Sequence, residues 1–204
     1  MLMDARRRAR GVTLIELLVG ISILGLLMVM AAPGLAEWFA NTRLRNTAEA
    51  LATSLQNAKG EAVSRNARVR FQLTSSLGDD CAINDSGPHW VVNLDPDAEP
   101  TAVAGQCAVA PSDTDAPRLL SRHDGREGAA STVIDGSVDT LVFNGLGRVV
   151  PVPAGDIVFD VRAADEADCV ARGGARTCLR VVVTPVGQVR TCNPAVSPPH
   201  PGAC

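Results

Sequence analysis

The chain has 204 residues, of which 46% are hydrophobic, 20% are charged and 3% are aromatic. This length and balance predict one domain of ordinary size with an extension, and they exclude a largely disordered protein. The net charge is −3, which excludes a global electrostatic attraction for nucleic acid.

The N-terminus combines a basic leader with a long apolar run. Residues 1–11 contain four arginines and one acid, and Val12–Ala32 follows with a single charge, Glu16. A helix of that length would be about 30 Å long, the thickness of the hydrocarbon core of a bilayer. The arginines predict a cytoplasmic N-terminus and place the rest of the chain across the membrane. Two alternatives are a secretory signal, whose apolar region is shorter, and a plain anchor, which gives no reason for Glu16.

Glu16 is the residue of this run that requires a partner. A carboxylate inside a membrane helix costs about 2.5–3.5 kcal/mol on insertion scales. Cleavage after Gly11 would create an α-amino group at Val12, within about one turn of Glu16 or of the same carboxylate on a neighbouring subunit. Pairing of these charges would favour one axial register in a bundle of such helices.

The stretch Gly11–Leu18, GVTLIELL, resembles the class III signal of type IV pilins and type II secretion pseudopilins. The resemblance implies cleavage after Gly11 by prepilin peptidase on the cytoplasmic side, and N-methylation of Val12. It also implies that Glu16 docks to the amino terminus of the preceding subunit. Val12 departs from the Phe or Met that is more usual at this position.

Residues 33–66 are predicted to continue the helix in amphipathic form. Pro33 predicts a kink or a locally melted turn, because proline lacks an N–H donor and clashes with the preceding turn. Beyond it, apolar residues recur at spacings of three and four and predict one face that packs against a sheet. These residues are Leu44, Ala48, Leu51, Leu55, Ala58 and Ala62.

Residues 67–204 change to short β-type segments separated by turn residues. A helix followed by strands predicts an α+β fold and not alternating βαβ units. Asp95–Pro117 and Asp165–Arg176 are predicted to be loops. The predicted strands are Val69–Leu73, Trp90–Leu94, Thr132–Ile134, Leu141–Phe143, Arg148–Val152, Ile157–Arg162, Leu179–Thr184 and Gln188–Cys192.

This arrangement resembles the GspH/FimT family of pseudopilins and minor pilins. The features that carry the resemblance are the Ala-rich helix end Asn46–Arg65, the turn Phe143–Arg148 and the closing hairpin Cys178–Cys192. It covers most of the chain and leaves the 78–130 region family-variable. It implies a type IV pilin-like fold, in which a long kinked N-terminal helix packs on a β-rich periplasmic domain.

Six cysteines lie beyond residue 80, and none forms a C-x-x-C pair. An even number that follows a hydrophobic segment predicts disulfides in an oxidising compartment. Buried reduced thiols are the alternative, and zinc is not expected because no ligand pair has finger spacing. The residues are Cys81, Cys107, Cys169, Cys178, Cys192 and Cys204.

The pairing of these cysteines stays open at the level of sequence. A turn at Thr184–Gly187 would bring Cys178 and Cys192 close to opposite, which makes a cross-strand disulfide geometrically reasonable. Cys81 could pair with Cys107 across the variable loop, which would leave Cys169 and Cys204.

The sequence contains no motif of a catalytic site, a nucleotide-binding loop or a metalloprotease. Its three histidines, His89, His123 and His200, are isolated in the sequence. We therefore predict no enzymatic activity, no cofactor and no metal site.

Nucleic-acid binding is the competing hypothesis. Some FimT-like minor pilins are DNA receptors, and the resemblance ties that activity to a Gly-Arg-x-Arg element in the C-terminal part. Here the corresponding stretch, Gly187–Arg190, reads GQVR and lacks one arginine. Arg180 and Arg190 are the candidate contacts, but they are few against the acidic balance of the chain. Nucleic acid is not the expected partner.

The sequence therefore predicts a minor pseudopilin of the type II protein secretion system, processed by prepilin peptidase and assembled through its N-terminal helix. The alternative is a FimT-like minor pilin of a type IV pilus, with a role in pilus initiation or DNA uptake. Expected partners are other pilin-type subunits, prepilin peptidase and the inner-membrane assembly platform. The expected location is the bacterial inner membrane, in a single pass with a periplasmic C-terminal domain.

Overall fold

One long helix begins the described part of the chain, and nine strands follow it. The structure is a computed structural model that describes residues 13–95, 103–125, 132–164, 169–170 and 177–204, without the side chains of 31–34, 36 and 37. The chain divides into two compact units, Met1–Phe39 and Ala40–Cys204. The predicted leader, residues 1–11, lies outside the described residues.

Helix α1 spans Leu14–Arg65. The helix runs through position 33 without interruption. The sequence predicts either a kink or a locally melted turn at Pro33; the melted turn is not observed, and the kink stays a prediction. The helix ends at Arg65 and is followed by Asn66, whose φ is 47°. The Ala67 N–H donates to the Ala62 carbonyl at 3.1 Å and the Asn66 N–H to the Val63 carbonyl at 3.2 Å. This left-handed cap satisfies the last carbonyls and turns the chain toward the first strand.

The strands form two antiparallel sheets. The first sheet has the order β4-β3-β1-β6 and the second has the order β2-β5-β7-β8-β9. The strands in chain order are β1 Val69–Thr74, β2 Ser86–Gly87, β3 His89–Leu94, β4 Leu119–His123, β5 Thr132–Gly136, β6 Thr140–Phe143, β7 Ile157–Ala163, β8 Leu179–Val183 and β9 Val189–Cys192.

The α+β class predicted from the sequence is confirmed, with differences in individual strands. Arg148–Val152 is not a strand, because after one bridge between Phe143 and Val149 the prolines at 151 and 153 offer no N–H donor to extend a ladder. Strands β2 and β4 were not predicted. β4 has the sequence LLSRH, which does not alternate between apolar and polar residues.

The main core lies between α1 and both sheets. All six apolar residues of the predicted helix stripe are buried, and Leu51 and Leu55 are 0% exposed. Phe71 of β1 and Phe159 of β7 meet edge to face at 5.8 Å between ring centroids, which links the two sheets beneath the helix. Each fully buried side chain of this size contributes roughly 1.5–3 kcal/mol relative to exposure.

A second, smaller core covers the other face of the first sheet. It is closed by the disulfide between Cys81 and Cys107 and contains Val91, Val103 and Leu119. This cover explains why β1 is buried at every position, although strands that face water on one side normally alternate.

Candidate assembly and interaction sites

The first turn of α1 carries a capping box formed by Thr13 and Glu16. The Thr13 N–H donates to a Glu16 carboxylate oxygen at 3.5 Å, and the Glu16 N–H donates to Thr13 Oγ1 at 3.3 Å. This reciprocal pair satisfies two N–H groups that have no partner inside the helix. Glu16 therefore has a partner within its own chain. The Thr-x-x-Glu spacing is the local signal of this arrangement, whereas the charge of Glu16 considered alone predicts an amine as its partner.

The helix of the N-terminal unit exposes its apolar side chains. Leu14, Leu18, Leu24 and Met30 are between 50% and 79% exposed. Within the described residues, no helix is both long enough and apolar enough to cross a membrane. The processing residues Gly11 and Val12 lie outside the described residues.

Two turns of the C-terminal unit, Asn144–Arg148 and Thr184–Gln188, have the same backbone pattern, and we call them the twin turns. In each, the N–H of the fourth residue donates to the carbonyl of the first, at 2.7 Å and 2.8 Å respectively. The fourth residues, Gly147 and Gly187, have φ values of 72° and 78°. Glycine is favoured there because other residues adopt such angles at a cost.

The twin turns pack against each other and against α1. A Cβ added to Gly187 would lie 1.9 Å from the Gly147 carbonyl oxygen, so no side chain fits between them. The Val149 N–H donates to the Pro185 carbonyl at 3.2 Å. Lys59 Nζ of α1 donates to the Gly187 carbonyl at 2.8 Å. Three segments far apart in sequence are thereby fixed at one place.

The two candidate nucleic-acid contacts lie on one face of the β8–β9 pair, where Arg180 pairs in register with Cys192 and Arg190 with Val182. Both side chains form hydrogen bonds within the chain. Arg180 donates from Nε and Nη2 to the Asp160 carboxylate at 2.7 and 2.9 Å, and these hydrogen bonds raise the pKa of Arg180 above its ordinary value. Arg190 donates to the Cys204 carbonyl at 3.3 Å.

All six cysteines form disulfides. The candidate pairing of Cys178 with Cys192 is wrong, and so is the pair of Cys169 and Cys204 that it would leave. The bonds join Cys81 to Cys107, Cys169 to Cys178, and Cys192 to Cys204.

The predicted pairing of Cys178 with Cys192 fails because of register. The turn spans five residues, Thr184–Gln188, and places Arg180 opposite Cys192. Cys178 lies two residues beyond that position, so its side chain is out of reach of Cys192.

Two family models match the chain. The model "Type II transport protein GspH" matches residues 47–187, and the model "Prokaryotic N-terminal methylation motif" matches residues 6–32. No curated protein matches the chain at a significant level.

Among solved structures, the type IV minor pilin FimU of Pseudomonas aeruginosa is similar in two crystal forms. The first has 19% sequence identity and a TM-score of 0.51, and covers 79% of this chain and 97% of FimU. The second has 18% identity and a TM-score of 0.48, and covers 76% and 97%.

The helix packed on antiparallel sheets defines a type IV pilin-like protein. The family match covers more than half of the sequence, and the chain belongs to the GspH family. It is therefore a minor pseudopilin or pilin with a GspH domain, a class of structural subunits and not of enzymes.

Proposed function

We propose that the chain is a minor pseudopilin of a type II protein secretion system, cleaved after Gly11 by prepilin peptidase and N-methylated at Val12. One observation carries the proposal: a methylation motif over residues 6–32 and a GspH domain over residues 47–187 occur in one chain. A filament assembled through the N-terminal helix uses both parts.

The N-terminal helix holds the subunit in the inner membrane before assembly. The apolar run of the sequence, Val12–Ala32, is longer than the stretch whose side chains are described, and Glu16 is its single charge. The arginine-rich leader places the N-terminus in the cytoplasm. Three disulfides in the C-terminal unit are consistent with an oxidising periplasm on the other side.

Glu16 changes its partner during assembly. In the single chain its carboxylate caps the first turn together with Thr13, which lowers the cost of holding an acid at the edge of the membrane. In the filament the α-amino group of a neighbouring subunit replaces that cap. A charged pair in a bundle of helices favours a single axial register.

Intact-mass analysis of the protein purified from membranes tests processing. The expected mass lacks residues 1–11 and includes one added methyl group. Gly11→Leu should block cleavage, whereas Gly20→Leu, a matched change inside the helix, should leave it unaffected. A mature protein that retains the leader would contradict the proposal.

Two substitutions at position 16 separate the cap from the charge. Gln also serves in capping boxes, so Glu16→Gln keeps the cap and removes the charge, whereas Glu16→Ala removes both. Both variants should insert into the membrane and both should fail to enter filaments. If Glu16→Gln entered filaments normally, charge pairing would not be the docking interaction.

The filament that contains the subunit decides between the two systems. Recovery with sheared pseudopili of the secretion system supports the proposal. Recovery only with type IV pili would instead identify a FimT-like minor pilin. The engaged side chains of Arg180 and Arg190 give no support for nucleic-acid binding.

A further inference from the structure

Each of the twin turns exposes one aliphatic side chain. Leu146 is 79% exposed and Val186 is 62% exposed, and each directly precedes the glycine at which the two turns touch. Val63 of α1 is 49% exposed and contacts the same turn, since its Cγ2 would lie 3.2 Å from a Cβ on Gly147. We call Val63, Leu146 and Val186 the twin-turn patch. Clustered exposed apolar residues mark interaction surfaces.

The patch is rigid before any partner arrives. The contact between Gly147 and Gly187 and the hydrogen bond from Lys59 to the Gly187 carbonyl fix both turns on α1. Asn144 Oδ1 accepts hydrogen bonds from the N–H groups of Leu146 and Arg148, each at 3.0 Å, which holds the first turn closed. A preorganised surface loses little conformational entropy on binding.

Two cations border the patch. Lys59 contacts Gly147 through its aliphatic stem. Arg148 is the residue after Gly147 in the turn, and its side chain is exposed. Neither makes an ion pair with any residue in the described part of the chain. A partner that places carboxylates here would meet two positive charges that no acid of the described residues pairs with.

We propose that the twin-turn patch is a docking surface for a neighbouring pilin-type subunit, which contributes apolar side chains flanked by carboxylates. The inference rests on the proposed function, because it requires a filament. A second copy that met patch to patch would bring Lys59 and Arg148 against their own equivalents, and like charges oppose such a two-fold contact. Nucleic acid would use the cations and leave the aliphatic side chains without a role.

The test measures how much full-length protein is recovered in sheared filaments from the native host. The Leu146→Ser and Val186→Ser double variant should reduce recovery at least tenfold. Val152→Ser is the matched control, because Val152 is 73% exposed in the same unit, and it should stay within twofold of wild type. All of these positions are exposed, so thermal unfolding should be unchanged.

Charge and identity of the partner are tested in the same cells. Arg148→Glu should reduce recovery and Arg148→Lys should preserve it. A photoreactive residue at position 146 should cross-link to a pilin-type subunit at an apolar segment that contains Asp or Glu. Normal recovery of the double variant overturns the proposal. Cross-linking to a second copy, or reduced DNA retention with normal recovery, overturns it in favour of those occupants.

The two proposals fail in different ways. If Gly11→Leu abolishes recovery and the double variant does not, the docking surface is wrong and the pseudopilin function stands. If the wild-type chain enters no filament, both are wrong.

Discussion

The two units of the chain use the same helix in opposite ways. From Leu14 to Met30 the apolar side chains of α1 are exposed, whereas from Leu44 to Ala62 one apolar stripe is buried against two sheets. Secondary structure is thus identical while the source of stabilisation differs. The second half obtains it within the chain by a periodic pattern. The apolar side chains of the first half are exposed and follow no such pattern, so only contacts from outside their own unit can bury them.

Of these predictions, Leu55→Ala should have the largest effect on the free energy of unfolding. Leu55 is 0% exposed in the main core, and such a change lowers the free energy of unfolding by roughly 2–5 kcal/mol. Leu24, which is 53% exposed, provides the control in the first half of the helix, and Leu24→Ala should stay within about 0.5 kcal/mol. Urea unfolding in detergent measures both, followed by tryptophan fluorescence, to which the buried Trp90 and the exposed Trp38 contribute. Equal losses would erase the contrast between the two halves.

Removal of a disulfide should lower the free energy of unfolding of the second unit, and slightly more for the longer loop. Cys81 and Cys107 are separated by 26 residues, and Cys192 and Cys204 by 12. A chain-entropy estimate gives about 3.5 and about 3 kcal/mol respectively for the double serine variants. Non-reducing unfolding curves measure these losses. Membrane insertion should be normal in both variants, and a defect in insertion would show that the two units are not independent.

Alanine substitutions at glycines should also affect stability differently in the two units. Gly187→Ala places a Cβ 1.9 Å from a backbone oxygen at a φ of 78°, and should cost roughly 2–3 kcal/mol. Gly25→Ala meets no described atom within 4 Å and improves helix propensity by roughly 1 kcal/mol. Thermal unfolding and helix content measure the pair. Tolerance of Gly187→Ala would mean that the twin turns can separate.

The smallest predicted effect concerns the charged residues. Arg180→Gln removes two charge-assisted hydrogen bonds from the Asp160 carboxylate, whose side chain is 9% exposed, and should cost about 1–2 kcal/mol. The hydrogen bonds to Asp160 raise the pKa of Arg180, so their contribution to stability is complete below the ordinary arginine pKa and is lost only as pH rises through the raised pKa of the folded state. The loss should therefore be equal at pH 7 and pH 9.

A control and a second measurement complete this test. The exposed Arg45→Gln should change unfolding by less than about 0.5 kcal/mol. Gel-shift experiments should show no difference between Arg180→Gln and wild type. Reduced DNA binding by Arg180→Gln would revive the nucleic-acid hypothesis.

The helix and its buried stripe could be predicted from the sequence because both depend on local periodicity. Leu44, Leu51 and Ala58 recur at the spacing of helical turns, and all are buried. The strand predicted at Ile157–Arg162 is rich in β-branched residues, and the structure has it at Ile157–Ala163. The Thr13–Glu16 capping box also depends on a local pattern. The charge of Glu16 considered alone, however, predicts the α-amino group at Val12 or an equivalent group on a neighbouring subunit as its partner.

The division into two sheets and the cysteine pairs could not be predicted, because both depend on long-range register. The position of Cys178 relative to Cys192 changed with the number of residues in one turn. β4 pairs with β3 in the first sheet and contributes Leu119 to the small core that the Cys81–Cys107 disulfide closes. The sequence of β4 by itself has no strand pattern. The contact between Gly147 and Gly187 joins turns 40 residues apart, as their numbers show, and no local signal announces it.

The back-to-back glycines have a consequence for anyone who modifies this protein. Because the two turns touch through bare backbone, an insertion in either would push its neighbour away and release the lysine that clamps them. Reporter tags therefore belong elsewhere, and Gly155 offers such a place, since nothing described lies within 4 Å of an added Cβ there. A label at Gly155 should leave the subunit able to enter filaments, whereas the same label at Gly187 should not.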